Sequence, residues 1–269
     1  MKFLVSFVVL LGLCAAAGAP APARAQAPRN LVKAELKSDL RPGAQSFLVG
    51  VHLQIEPSWH IYWKYPGDAG MATSVKWKLP DGFAVSELMW PTPIGFEQAG
   101  QIQGFGYEDE VVLLARVTPL PGWAKPAMIE AEVRWLACET TCVPGKASLQ
   151  LQVDPAGAAD PADGELLAQW LARVPIPADS PENPAKVRVT TMGLDYRIEL
   201  SGIGAEHVQC LLAPADGLSI VNNEVAGLKV HIVLHAMEGS KPSNQPSEAV
   251  IAWTESGKPH AVSVQLGRQ

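Results

Sequence analysis

The chain has 269 residues, 48% of them apolar, with 21 basic and 27 acidic side chains and a formal charge of −6. An acidic balance of this kind argues against nucleic acid as a partner. The length leaves room for one large or two modest domains.

Residues 1–25 read as a secretory signal peptide. Lys2 is the charged start, Phe3 to Ala17 form the apolar core, and Ala23-Arg24-Ala25 ends in the small-x-small pattern that signal peptidase accepts, so cleavage is predicted after Ala25. The apolar run is short for a membrane span. Cys14 follows Leu13, which is too large to precede a lipidated cysteine, and belongs to the leader. Removing the leader leaves 19 basic against 27 acidic residues, a charge of about −8, and three cysteines: Cys138, Cys142 and Cys210. Nothing after residue 25 approaches 18 consecutive apolar residues, so the mature chain is expected to be soluble.

From Leu31 to about Val153, short alternating runs recur between turn signals. Val49, Val51, Leu53 and Ile55 share one strand face, and Val111 to Val117 is a nearly continuous apolar strand. Ile129, Ala131, Val133, Trp135 and Ala137 alternate, as do Leu149, Leu151 and Val153. Strands without intervening helices predict an immunoglobulin-like β-sandwich over 30–154. One helix follows, with Asp160 as N-cap, Pro161 in its first turn, and Leu166, Leu167, Trp170, Leu171 and Val174 on one face. Pro175 to Pro184 reads as a semi-rigid linker, so that helix and linker occupy 155–185. Strands resume at Val187 and predict a second, smaller β-sandwich over 186–269. The expected fold class is all-β.

The segment Val133-Arg134-Trp135-Leu136-Ala137-Cys138-Glu139-Thr140-Thr141-Cys142-Val143-Pro144-Gly145 carries the chemistry. A disulfide needs Cα atoms within about 4.4–6.8 Å, whereas four extended steps span roughly 13 Å. The segment must fold back, and Pro144-Gly145 supplies turn residues next to it. Closing a five-residue ring is worth only about 2 kcal/mol, so the bridge is expected to be exposed and able to open and close. A static disulfide and a metal site are the alternatives. Glu139 would raise a neighbouring thiol pKa, and the directions of Arg134 and Lys146 are not legible. Nor is it legible which sulfur forms a mixed disulfide and which resolves it. Cys210 reads as a buried strand cysteine, His60 as a satisfied structural histidine, and His231 and His235 as solvated strand residues. Trp59, Tyr62, Trp63, Trp77 and Trp90 read as sandwich core before site walls.

Several segments together resemble the N-terminal periplasmic domain of DsbD-type thiol:disulfide interchange proteins, nearest to the ScsB-like branch associated with copper-stress suppression. They are Trp59-His60-Ile61-Tyr62-Trp63, Pro66 to Thr73, Trp77 to Gly82, Trp90-Pro91-Thr92-Pro93, Gly104-Phe105-Gly106-Tyr107, Trp135 to Cys138 and Cys142 to Gly145. The resemblance covers most of 30–154 in family order. It implies an immunoglobulin fold in the periplasm that passes electrons through Cys138 and Cys142 without a cofactor, as a component of protein-disulfide reductase chemistry. It implies thioredoxin-fold periplasmic proteins as clients and a membrane electron-transfer protein as source. It also implies a cap loop that shields the cysteines, assigned to Tyr65, Asp68 and Met71, and a second immunoglobulin-like domain over 186–269. Family members continue into a membrane domain and often a thioredoxin domain, neither of which reads in these 269 residues. The classical DsbD domain also spaces its cysteines further apart.

The leading functional expectation is therefore periplasmic thiol–disulfide exchange through one CxxxC pair. A copper-binding or copper-tolerance protein, with Cys138 and Cys142 as soft ligands, is the first alternative; a non-catalytic secreted interaction module is the second. No paired carboxylates, phosphate loop, zinc motif or serine–histidine arrangement in recognisable context points to a hydrolase or kinase.

Overall fold

The computed structural model describes residues 31–98, 100, 102–240 and 246–267. The expected leader and its cleavage point lie outside the described residues. The first half contains β1 (Val32–Ser38), β2 (Phe47–Ile55), β3 (His60–Gly67), β4 (Ser74–Lys78), β5 (Ala84–Val85), β6 (Ile94–Gln98), β7 (Ile102–Glu108), β8 (Glu110–Thr118), β9 (Ala127–Cys138) and β10 (Cys142–Val153). Helix α1 (Pro161–Leu171) follows. The second half contains β11 (Ile176–Pro177), β12 (Lys186–Met192), β13 (Asp195–Ser201), β14 (Glu206–Ala213), β15 (Leu218–Ala226), β16 (Lys229–Ala236), β17 (Ser247–Glu255) and β18 (Lys258–Leu266).

These strands form two immunoglobulin-like sandwiches. The first faces a β1-β2-β8-β5 sheet against a β10-β9-β3-β7-β6 sheet to which β4 adds by pairing with β9. The second faces β11-β18-β17-β14 against β12-β13-β16-β15. The period-2 pattern explains the first core: Val49, Val51 and Leu53 from one sheet meet Ile129, Val133 and Trp135 from the other, all 5% exposed or less. β2 and β8 are buried on their second face as well, because α1 lies over it. Leu167 is fully buried there, and a Cβ on Gly50 would overlap its side chain. The helix starts as its sequence predicts, with the Asp160 carboxylate accepting from the Ala162 N–H at 2.9 Å.

The prolines after α1 are tied down. Ile176 and Pro177 pair in parallel with Val262 and Ser263, so this stretch is an edge strand of the second sandwich. Strand β15 has no sequence expectation behind it. A register shift between Ile220 and Asn222 interrupts its alternation, and Asn222 turns its amide to His231.

β14 and β17 are buried on both faces. Cys210, Leu212, Ala249, Ile251 and Trp253 enter the second core, while Leu211, Val250 and Ala252 enter the first. The two sandwiches thus share a seam, reinforced by an ion pair between Lys64 on β3 and Glu248 on β17.

Candidate functional site

The chain folds back at Glu139-Thr140-Thr141, where the Glu139 N–H donates to the Thr141 carbonyl at 3.2 Å. Cys138 ends β9, Cys142 begins β10, and the two are register partners. Their Cα atoms stand 4.2 Å apart and their sulfurs are bonded, the close spacing of a non-hydrogen-bonded antiparallel pair. Pro144 and Gly145 do not make this turn, contrary to the sequence expectation; both lie inside β10. An edge strand tolerates a proline whose missing N–H would have faced solvent. Gly145 has a packing role, since a Cβ there would overlap the indole of Trp135, its register partner.

The alternation of β9 decides the environment of the pair. Ile129, Ala131, Val133, Trp135 and Ala137 point into the core, so Cys138 belongs to the outer face with Leu136, Arg134 and Glu132. An outer-face residue at a strand end is ordinarily wet, yet Cys138 is only 2% exposed, whereas Cys142 is exposed. The expectation of an exposed bridge therefore holds for one cysteine only.

An aromatic layer lies beside Cys138 on that outer face. His60 on β3 is the other register partner of Cys138, and Glu108 on β7 is in turn opposite His60. Cys142, Cys138, His60 and Glu108 therefore form one transverse row across four strands. His60 packs edge-on to Tyr62 at 5.3 Å and against Phe96 of β6 at 4.2 Å, ring centre to ring centre. Tyr62 is 1% exposed, and its hydroxyl accepts from the Gln98 amide at 2.8 Å. Gly104 opposite Phe96 leaves room for this ring, which a Cβ would meet. Burial lowers the His60 pKa below its ordinary 6.5, leaving the imidazole neutral at pH 7.

His60 has neither ring nitrogen both buried and without a partner, in keeping with its reading as a satisfied histidine. Among the described residues its one hydrogen-bond partner is the Tyr62 hydroxyl, at the long distance of 3.5 Å. Of the aromatics, Trp63 lies in the core and Trp59, Trp77 and Trp90 pack against it, whereas Tyr62 flanks the site. Nothing in the sequence singles out Phe96; only the β6–β7 pairing brings it to His60. Arg134 and Lys146 are register partners on the outer face, four residues or about 13 Å along the strands from the sulfurs.

The segment with Tyr65, Asp68 and Met71 sits where β9 changes partner from β3 to β4. Tyr65 packs against Phe105, and burial, with the Asp68 charge, raises its pKa. Asp68 is pinned to Gln103 by its N–H at 2.9 Å and by its carboxylate at 3.0 Å. Met71 is 44% exposed. The loop backbone rests on Tyr62, whose ring a Cβ on Gly70 would strike, and Thr73 bonds the Tyr62 carbonyl. Its described contacts thus run to β7 and to Tyr62.

Cys210 is a free, buried thiol, pushed up to about 12 by burial, which matches its reading as a structural strand residue. As for the copper alternative, no group of three His, Cys, Asp or Glu that could hold a metal ion occurs among the described residues. No helix among them is long and apolar enough to cross a membrane.

Residues 29–154 match the family described as thiol:disulfide interchange protein DsbD, N-terminal. The solved N-terminal periplasmic domain of ScsB from Proteus mirabilis superposes with a TM-score of 0.64 at 20% identity, covering 91% of this chain and 97% of that one. The N-terminal domain of Neisseria meningitidis DsbD in the reduced form matches at 12% identity and a TM-score of 0.28, covering 49% of this chain and 92% of that one, too loose to bear on the fold. No curated protein matches the sequence.

Proposed function

We propose that this chain, whose residues 29–154 match the DsbD N-terminal family, is a periplasmic thiol–disulfide exchange protein. It passes electrons from an upstream dithiol, carried by a membrane electron-transfer protein, to thioredoxin-fold clients through Cys138 and Cys142. The observation that carries this reading is the asymmetry of the hairpin disulfide, one cysteine exposed and the other buried.

Exchange begins when a thiolate attacks one sulfur along the axis of the bond. Cys142 is the accessible target, so an incoming thiolate forms its mixed disulfide there and the electron pair leaves on Cys138. The donor's second thiol then attacks its own sulfur, releases Cys142 and departs as a disulfide. Two electrons now reside on the Cys138–Cys142 dithiol. Delivery to a client runs the same steps backwards, with Cys142 attacking and Cys138 resolving. In this reading the segment carrying Tyr65, Asp68 and Met71 shields the pair until a partner docks.

Trapping tests the proposal. Cys138→Ser should hold a lasting mixed disulfide between Cys142 and an oxidised thioredoxin-fold client, visible on a non-reducing gel, and Cys142→Ser should hold none. If neither variant traps a client, and the reduced wild type instead binds copper stoichiometrically, the metal-handling alternative replaces exchange.

A further inference from the structure

We infer that His60 is the proton-transfer partner of Cys138, taking the thiol proton when Cys138 attacks and returning it when Cys138 leaves. The inference rests on the exchange reading above and assigns a residue which that reading does not use.

Cys138 is the sulfur that must resolve, and it is the poorly hydrated one, at 2% exposure. A thiol in an apolar site gives up its proton reluctantly, because the thiolate is not solvated. Water is a poor acceptor where little water reaches. The residue in register with Cys138 on the neighbouring strand is a histidine, and register partners on one face stand about 4.5–5.5 Å apart at Cβ. That imidazole is itself 8% exposed and has only a 3.5 Å contact to the Tyr62 hydroxyl as a hydrogen bond. Neither ring nitrogen is both buried and without a partner, so the ring can take up a proton without losing an existing strong bond. In the disulfide neither sulfur carries a proton or a charge, so the interaction is one of the reduced state. Burial keeps the ring neutral, hence free to accept.

The groups facing His60 are Cys138 on β9 and Glu108 on β7, in register on its two sides, and Tyr62 on its own strand. β6 contributes Phe96 and carries Glu97 on the opposite face; Asp109 follows Glu108, and Glu139 closes the hairpin beyond Cys138. Glu108 shares the row by register only; the hydrogen bond recorded for His60 runs to Tyr62.

Glutathione disulfide, mixed with the reduced full chain, separates the two steps. In the first, the Cys142 thiolate attacks one glutathione sulfur and the other glutathione leaves as thiolate. In the second, Cys138 loses its proton to His60 and attacks Cys142 Sγ, and the electron pair leaves on glutathione, which is then protonated. The products are the protein disulfide and two glutathione thiols. Acid quenching and intact mass measurement count the mixed disulfide.

His60→Phe, which keeps a ring against Phe96, should slow the second step on the order of 10²-fold and leave the first unchanged. The wild-type second step should fall off as pH drops through the lowered His60 range, a bend that His60→Phe and His60→Gln lose. Equal second-step rates and pH profiles in wild type and in whichever variant folds overturn this inference alone. Should both variants unfold, a wild-type second step with no such bend overturns it. A reduced wild type that never forms the mixed disulfide overturns the exchange reading, and this inference falls with it.

Discussion

Three cysteines of one chain sit in three environments, and burial sets what each can do. Cys142 is exposed, Cys138 is covered on an outer face, and Cys210 lies inside a core with its pKa near 12. Because the thiolate is the reactive species, alkylation of the reduced protein with iodoacetamide at pH 7.5 should follow that order. We expect Cys142 to react about tenfold or more faster than Cys138, and Cys210 only after unfolding, as read by peptide mass spectrometry. Equal rates at Cys138 and Cys142 would contradict the asymmetry on which the direction of attack depends. The pair itself, its folding back and the structural nature of Cys210 were all legible in the sequence. The burial of Cys138 was not, because the strand that flanks it, β3 with His60 in register, is distant in the chain.

At the scale of elements, the β9–β10 hairpin is held in register by Trp135, whose indole crosses to β10 over a residue without a side chain. Gly145→Ala should therefore displace the indole and cost about 1–3 kcal/mol, measured as a lowered urea midpoint with a shifted tryptophan emission. An unchanged midpoint would show that the indole moves aside freely. Sequence alone assigned Gly145 to a turn, since Pro-Gly is the usual turn dipeptide. What overrode it was β10 being an edge strand, where a proline breaks no ladder. The helix shows the converse. Its cap, first-turn proline and apolar face were readable from residues 160–174, but its seat on β2 and β8 was not. The nearly continuous apolar run of β8 was the available signal, because a strand apolar on both faces must be covered on both.

For the whole molecule, the seam matters most. Leu211, Val250 and Ala252 belong to the first core although their strands pair within the second sandwich, and Lys64 on β3 pairs with Glu248. Strand β3 also carries His60 and Tyr62, so the second sandwich buttresses the strand beside the Cys138–Cys142 pair. Val250→Asp would bury an unpaired carboxylate in that seam at a cost on the order of 3–5 kcal/mol. Calorimetry should give a single transition for the wild type and two for the variant, with the Cys138–Cys142 exchange rate altered. One unsplit transition in the variant would mean that the sandwiches do not depend on the seam.

From its residues alone, this chain determined the strand faces, the capped helix, the two-sandwich class and the closeness of two sulfurs. Those are local matters of period, capping and chain reach. Tertiary structure alone decided which sulfur is covered, that His60, Tyr62 and Phe96 converge beside it, and that β14 and β17 serve two cores. Pairing between strands far apart in sequence sets these, and a period-2 pattern states which face a residue takes but not what lies against it.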